Sequence, residues 1–445
     1  MSDRYIVAVE ISSSKIIASV GVTSGEGRLD VIAEEQETGV EAVRYGIIQN
    51  LEETSLKLGR IISRLEQNPR VAPRKIKGVF VGLSGRSLKS IPTEVMRNLP
   101  DDTEISSEII DSLKEEAMRT PIDNTLEVVD AVPRSYKVGN TEIHSPNSPK
   151  GRIGNRIEAT FDLIVCRPEL KRNITRTLSD KLGIKIEGFV VTALAYGHLI
   201  LTTDEKRLGC MLVDMGAETT TVTIYKDGCL QYFATIPLGG RNITRDITSL
   251  HVLEEKAEEI KLQSGKAIIL NDSGSSLNIN GIKQSDINNL VAARSEEIVA
   301  NVVEQMEYAH LSEAKLPGGI VCIGGASRLP EMMELLRKQS GLPVRRGELP
   351  DYVKISDSKP AKTENIEVVS VMYAGATLSS RECLEMPATE AIPVNGSTKN
   401  TPEPQKQQSR TESRRNRSGW VSNLKTRISE IFKAPTEDDS DLIDE

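Results

Sequence analysis

Residues 212–220 read Leu212-Val213-Asp214-Met215-Gly216-Ala217-Glu218-Thr219-Thr220, and residues 221–225 continue as a second apolar run. An apolar strand, an acid, a turn of small and polar residues and a return strand spell a β-hairpin with an acid at its lip. The same phrase stands near the start of the chain: Val7-Ala8-Val9-Glu10-Ile11-Ser12-Ser13-Ser14-Lys15-Ile16, with residues 17–22 as the return strand. One such hairpin in each half points to a duplicated α/β unit that places the two hairpins on facing lobes.

The chemistry of the two turns is that of phosphate binding. A tight turn of Ser, Gly, Ala and Thr points several backbone N–H groups at one anion, and its hydroxyls add donors. The acids at the strand ends repel phosphate but suit Mg²⁺, which takes carboxylate and water oxygens together with substrate phosphate. Glu10 and Asp214 are the candidates for that role. Either turn alone is an ordinary hairpin; it is their combination with two further elements that carries weight. Ile320-Val321-Cys322-Ile323-Gly324-Gly325-Ala326-Ser327-Arg328-Leu329-Pro330 is an apolar strand, a glycine pair and a predicted helix start with Pro330 in the first turn. Its glycines let the backbone approach a flat ligand closely. Pro237-Leu238-Gly239-Gly240-Arg241-Asn242-Ile243-Thr244-Arg245-Asp246 is another glycine break after a strand. Downstream, Glu258 and Lys261 stand at i and i+3 on one helix face, a spacing that also fits a plain surface ion pair.

Around these elements the pattern is mixed α/β. Buried strands are predicted at 76–83, 161–166, 210–215 and 320–323, and helices at 107–119, 168–182, 254–263, 286–310 and 330–339. The chain has 445 residues, enough for two or three lobes. Lys and Arg total 56 against 64 Asp and Glu, a net charge of −8, which argues against a dedicated nucleic-acid binder. Aromatics are only 3%, so the core is aliphatic. Five cysteines, without a CxxC pair, and four scattered histidines exclude a disulfide framework and a His/Cys metal centre. No run is long and apolar enough to span a bilayer, and Asp3-Arg4 leads straight into a strand rather than a signal sequence, so the bulk of the chain is expected in the cytoplasm.

Composition breaks near residue 386. The 33 residues 387–419 hold four prolines and only Ala388, Ala391, Ile392 and Val394 as apolar side chains, too few to offset ordering entropy. They read as a flexible linker, whose root-mean-square reach would be about 30 Å. Beyond it, Trp420, Val421, Leu424, Ile428, Ile431 and Phe432 fall within an arc of about 120° at 100° per residue. Lys425, Arg427 and Lys433 supply basic flanks, and residues 406–433 carry eight basic and two acidic side chains in an acidic protein. The only Trp lies here. These are the marks of an amphipathic helix lying on anionic lipid. The end of the chain, 434–445, is acidic again; whether it screens the basic face or binds a partner is open at this point.

The hairpins, the Gly-Gly strand end and their order resemble the actin, heat-shock chaperone and sugar kinase superfamily. Within it, residues 10–15, 238–246 and 257–261 and the amphipathic tail are similar to the FtsA family of bacterial cell-division proteins. The resemblance covers about residues 1–385 and 420–433. It implies a two-lobed actin-like fold with ATP and Mg²⁺ in the cleft: Ser12, Ser13, Ser14 and Lys15 as one phosphate loop, and Gly216, Ala217, Glu218, Thr219 and Thr220 as the other. Glu258 and Lys261 would reach ribose and base, Gly324, Gly325 and Ala326 would pack on adenosine, and Gly240 and Arg328 join the cofactor set. Glu10 and Asp214 would hold the metal.

The resemblance further implies a subdomain 1A from 1–83, 163–208 and 352–385, an inserted 1C at 84–162, 2A from 209–249 and 319–351, and 2B at 250–318. Partners implied are the C-terminal peptide of FtsZ on 2B, other division proteins on 1C, further copies in filaments, and anionic membrane through 420–433. The place implied is the cytoplasmic side of the cell membrane, at the septum. The family usually has Asp at the position of Glu10 and Gly at that of Ser12. With no obvious base for water attack, hydrolysis is expected to be weak at most. Two rivals stay open here: a different actin-like scaffold, of the PilM pilus-assembly or MreB rod-shape type, and a small-molecule kinase. The kinase reading needs a catalytic carboxylate for a substrate hydroxyl, and no motif supplies one.

Overall fold

A computed structural model describes residues 4–24, 27–39, 41–144, 148–269, 278–279, 281–356, 365–378 and 381–387. The predicted linker beyond Pro387, the amphipathic segment 420–433 with all its candidate membrane residues, and the acidic end lie outside the described residues.

The first hairpin forms as expected. Strands Arg4–Ile11 and Lys15–Thr23 pair antiparallel, closing at Ile11 and Ile16. They are central in a six-stranded sheet running Lys185–Val191, Gly78–Leu83, Arg4–Ile11, Lys15–Thr23, Leu29–Thr38, Val353–Ile355. The outer pairings are parallel, except that Lys15–Thr23 and Leu29–Thr38 run antiparallel. Residues 6–11 are all buried, because helices cover both faces, and a strand buried on both faces reads as a continuous apolar run. Leu51–Gln67 packs on one side, its amides at Glu52 and Glu53 capped by Asn50 Oδ1 and its face of Leu58, Ile61, Ile62 and Leu65 turned inward. Thr192–Ile200 and Ile366–Leu378 pack on the other.

The second hairpin, Cys210–Met215 with Thr220–Lys226, pairs antiparallel and closes at Met215 and Thr220. It lies in a nine-stranded sheet running Thr141–His144, Glu127–Val138, Ile153–Cys166, Lys89–Glu104, Cys229–Ile236, Thr220–Lys226, Cys210–Met215, Ile320–Ile323, Val344–Arg346. The parallel pair of Cys210–Met215 and Ile320–Ile323 sets Asp214 against Ile323, so the acid stands beside Gly324. The unit of residues 89–166 joins this sheet through one strand pairing, Ala234 with Lys89. Arg134 reinforces the junction: it grips Asp162 at 2.6 and 3.0 Å and donates to the Gln231 carbonyl at 2.8 Å. Three apolar clusters result, one on each main sheet and one inside the inserted unit. They are mainly aliphatic; among the described residues Phe80, Phe161 and Phe233 are the only aromatic rings among the largest fully buried side chains.

Two local readings are corrected. The helix expected from Pro330 begins at Met332, because Glu331 adopts a left-handed φ of 68° and breaks the helical path. The helix expected over 168–182 is α-helical only over Pro168–Thr175 and widens into a π turn at Arg176–Lys181.

Candidate functional site

The first turn is braced from within. The Ser12 amide and hydroxyl both donate to the Lys15 carbonyl, at 3.0 and 2.9 Å, so the Ser12 side chain itself closes the hairpin. Ser13 is buried, and its Oγ accepts from the Gly46 amide at 3.3 Å, while Ser14 is exposed. Lys15 Nζ donates to Asn365 Oδ1 at 2.6 Å and pairs with Glu367.

Glu10 shows how a longer acid is accommodated. Its Oε1 accepts from Ser84 Oγ at 2.6 Å and its Oε2 from Thr192 Oγ1 at 2.9 Å. The carboxylate occupies the space over Gly82, where a Cβ would stand 1.6 Å from Oε2. Glycine at 82 is therefore the structural partner of glutamate at 10. A divalent ion on Glu10 would share it with these two hydroxyls.

The second turn is stitched to the helix Gly240–Thr248. Gly216 N donates to Thr219 O at 2.8 Å, Gly240 N to Gly216 O at 2.9 Å, and Arg241 N to Ala217 O at 2.7 Å. Thr220 Oγ1 donates to Leu238 O at 2.8 Å. A Cβ on Gly239 would meet the Gly216 and Ala217 carbonyls at 2.7 Å, which explains a glycine where two backbones touch. Asp214 accepts from the buried Tyr196 hydroxyl. Gly324, with φ +86°, lies so close that a Cβ would stand 2.5 Å from Asp214 Oδ1.

The two turns meet. Arg241 Nη2 donates to Ser13 O at 2.9 Å, and its Nη1 reaches Glu218 Oε1 at 3.2 Å. Glu218 Oε2 accepts from the Tyr45 amide of the first lobe at 2.6 Å. Behind them, Lys261 is buried and donates to Gly240 O at 3.1 Å, Thr244 Oγ1 at 2.9 Å and half-buried Glu258 at 2.7 Å. Gly240 also abuts Ala326: a Cβ there would stand 3.1 Å from Ala326 Cβ. Gly325 has open space where its side chain would be, and Arg328 is exposed on the short turn Ala326–Arg328. Ser13, Glu218 and Arg241 thus meet where the two turns touch, with Gly216, Gly240, Lys261 and Gly324–Ala326 packed against them.

Sequence reading missed Arg44, Tyr45, Gly82, Ser84, Thr192, Tyr196, Asn365 and Glu367. Arg241 and Arg245 follow the glycine pair directly and carried a signal; the others come from distant segments with no motif.

Burial, opposed only in part by the Ser84 and Thr192 hydroxyls, raises Glu10 to about 7. Asp214 is also raised to about 7, by burial and by the charges of Glu367 and Glu10. For Glu10 the folded value exceeds the unfolded one, so the protonated carboxyl favours folding. That contribution is complete below about 4.5 and is lost as pH rises to about 7. Measured in chelator without nucleotide, Glu10→Gln should therefore gain about 3 kcal/mol of stability relative to the parent between pH 4.5 and 8. Melting curves of both at the two pH values check this; a difference that does not change with pH contradicts it.

Two α/β lobes built on acid-lipped hairpins that face one cleft define an actin-like ATPase fold. Part of a PilM–PilN type IV pilus biogenesis complex overlays with a TM-score of 0.58, covering 83% of this chain and 96% of that one at 15% identity, a likeness of fold. The family model described as cell division protein FtsA matches residues 211–374, and that of the SHS2 domain inserted in FtsA matches 85–165. Cell division protein FtsA of Porphyromonas gingivalis is 31% identical over 352 residues, 77% of this chain and 72% of that protein. Those of Pseudomonas aeruginosa and Bacillus subtilis are each 28% identical, covering 78% and 80% of this chain and 83% and 82% of theirs. The chain belongs to the FtsA family of cell-division proteins.

Proposed function

We propose that this chain binds ATP between its two turns, self-associates into short filaments, and ties FtsZ to the inner face of the cell membrane at the division septum. The observation that carries the nucleotide part is the meeting of the turns: Arg241 touches Ser13 of the first and Glu218 of the second.

The residues present suit Mg²⁺–ATP. Glu10 is buried and Asp214 half-buried, and desolvation, only partly opposed by the Lys15 charge, raises both carboxyls to about 7. A cation between them would supply what burial withholds. Gly325 leaves a bare face on which a base can stack, and Lys261 holds Gly240 and Glu258 in place beside it. Magnesium, when bound, neutralises phosphate charge; the chain's own groups position the nucleotide.

The membrane part rests on residues 420–433, whose apolar arc and basic flanks suit anionic lipid. One such helix binds modestly, so several copies in a filament would reinforce each other. FtsZ is assigned as partner through family membership, with its C-terminal peptide on the lobe that contains the helix Gln284–Tyr308. That helix and Gly240–Thr248 border a groove lined by Arg245, Asp246, Leu290, Ala293 and Arg294, a mixed polar and apolar surface suited to a short peptide. Immobilised FtsZ C-terminal peptide should retain the full chain. Failure to bind would favour the pilus-type scaffold, and phosphorylation of a small metabolite would favour the kinase.

A further inference from the structure

Glu218 is 1% exposed, yet three guanidinium groups converge on one of its oxygens. Arg44 Nη1 lies at 3.0 Å from Oε1, Arg245 Nη2 at 3.1 Å and Arg241 Nη1 at 3.2 Å. The other oxygen takes the Tyr45 amide at 2.6 Å. Arg44 and Tyr45 belong to the first lobe, Arg241 and Arg245 to the second, so one carboxylate clasps both. Tyr45 is held in a left-handed backbone (φ 50°), which turns its N–H inward; Arg86 N donates to its carbonyl, and the Arg86 guanidinium covers its ring. The Tyr45 amide and Arg44, against the cost of burial, keep the Glu218 carboxyl ionised below its usual range.

Only one of the acids near these arginines is buried among them. Three arginines face the Glu218 carboxylate, while Glu254, which lies 3.7 Å from Arg241 and also acts on Arg44, and Glu41, which acts on Arg44, stand exposed to solvent. Convergent guanidinium forks plus a backbone N–H, gathered on one buried oxyanion, have the donor set of a phosphate site. Arg241 also spans the two turns, so a phosphate lodged between them would lie against the same guanidinium.

We propose that Arg44, Arg241, Arg245 and the Tyr45 N–H form a phosphate-binding cradle that Glu218 fills in the absence of nucleotide, and that a nucleotide phosphate enters by displacing this carboxylate. The proposal deepens the nucleotide reading and rests on it for the identity of the ligand. The cleft of this chain is closed by its own side chain, and nucleotide substitutes one closing anion for another.

The test uses the full chain and its Glu218→Ala variant. Hydrogen exchange without nucleotide should show the Tyr45 amide exchanging about tenfold faster in Glu218→Ala, with residues 210–215 unchanged. Inorganic phosphate, against chloride at equal ionic strength, should restore protection in that variant. ATP should bind Glu218→Ala about tenfold more tightly than the parent, and Arg241→Ala more weakly. Should Glu218→Ala not fold, Glu218→Gln, which keeps the shape and removes the charge, must shift ATP affinity in the same direction. Unchanged Tyr45 exchange, no protection by phosphate, or ATP affinity unaltered by loss of Glu218 overturns the proposal. Phosphate protection with no ATP binding by any variant would uphold the cradle and retire the nucleotide reading.

Discussion

Deleting residues 419–445 should abolish sedimentation with anionic vesicles and leave the body folded, with an unchanged melting midpoint. The second half of this expectation follows from the packing. Among the described residues the three apolar clusters reach no further than Leu384, and each is complete enough to hold its own sheet or inserted unit. The first half follows from the sequence of 420–433. Its six apolar side chains share one arc, and the basic excess over 406–433 is six charges in a chain of net −8. Juxtamembrane Lys and Arg contribute about 1 kcal/mol each at an anionic surface, an attraction that salt screens over about 10 Å. Binding of the intact chain should accordingly weaken in zwitterionic vesicles and in high salt. A truncated protein that still sediments would place the lipid contact elsewhere.

How far the sequence could be read depended on where each feature's cause lay. The hairpin strands were legible because both faces are buried, so apolar residues run without a break and end at an acid. Register then set Asp214 beside Gly324 with no further information needed. The strand Lys89–Glu104 was not legible: it carries Pro92 and Pro100, shows a polar outer face, and is fixed by pairing with Ile153–Cys166 some sixty residues away. The same limit applies in the cleft. Ser13, Gly216 and Gly324 announce themselves by local turn chemistry. Gly82 has meaning only once the Glu10 carboxylate is seen lying over it, and Arg44 only once it is seen reaching Glu218. Pro330 misled because it suits a helix start in isolation, whereas the left-handed Glu331 postpones the helix. Glu10 was legible as the acid at the lip of the first hairpin, but its accommodation by Gly82, Ser84 and Thr192 was not.

The largest effect within the folded body is expected at Gly325. Its φ of −64° admits any side chain, and a Cβ there meets open space, so Gly325→Leu should fold and melt as the parent does. Its neighbours Gly324 and Ala326 abut Asp214 and Gly240, which places the new side chain on the surface proposed for adenosine. Leucine there would exclude the ring, a loss of a hundredfold or more at about 1.4 kcal/mol per tenfold. Calorimetric titration of ATP with magnesium into the full chain and into Gly325→Leu tests the central claim most directly. The account predicts one ATP per chain for the parent and no measurable binding for a variant of unchanged stability; equal affinity in both, or no binding by the parent, would contradict it.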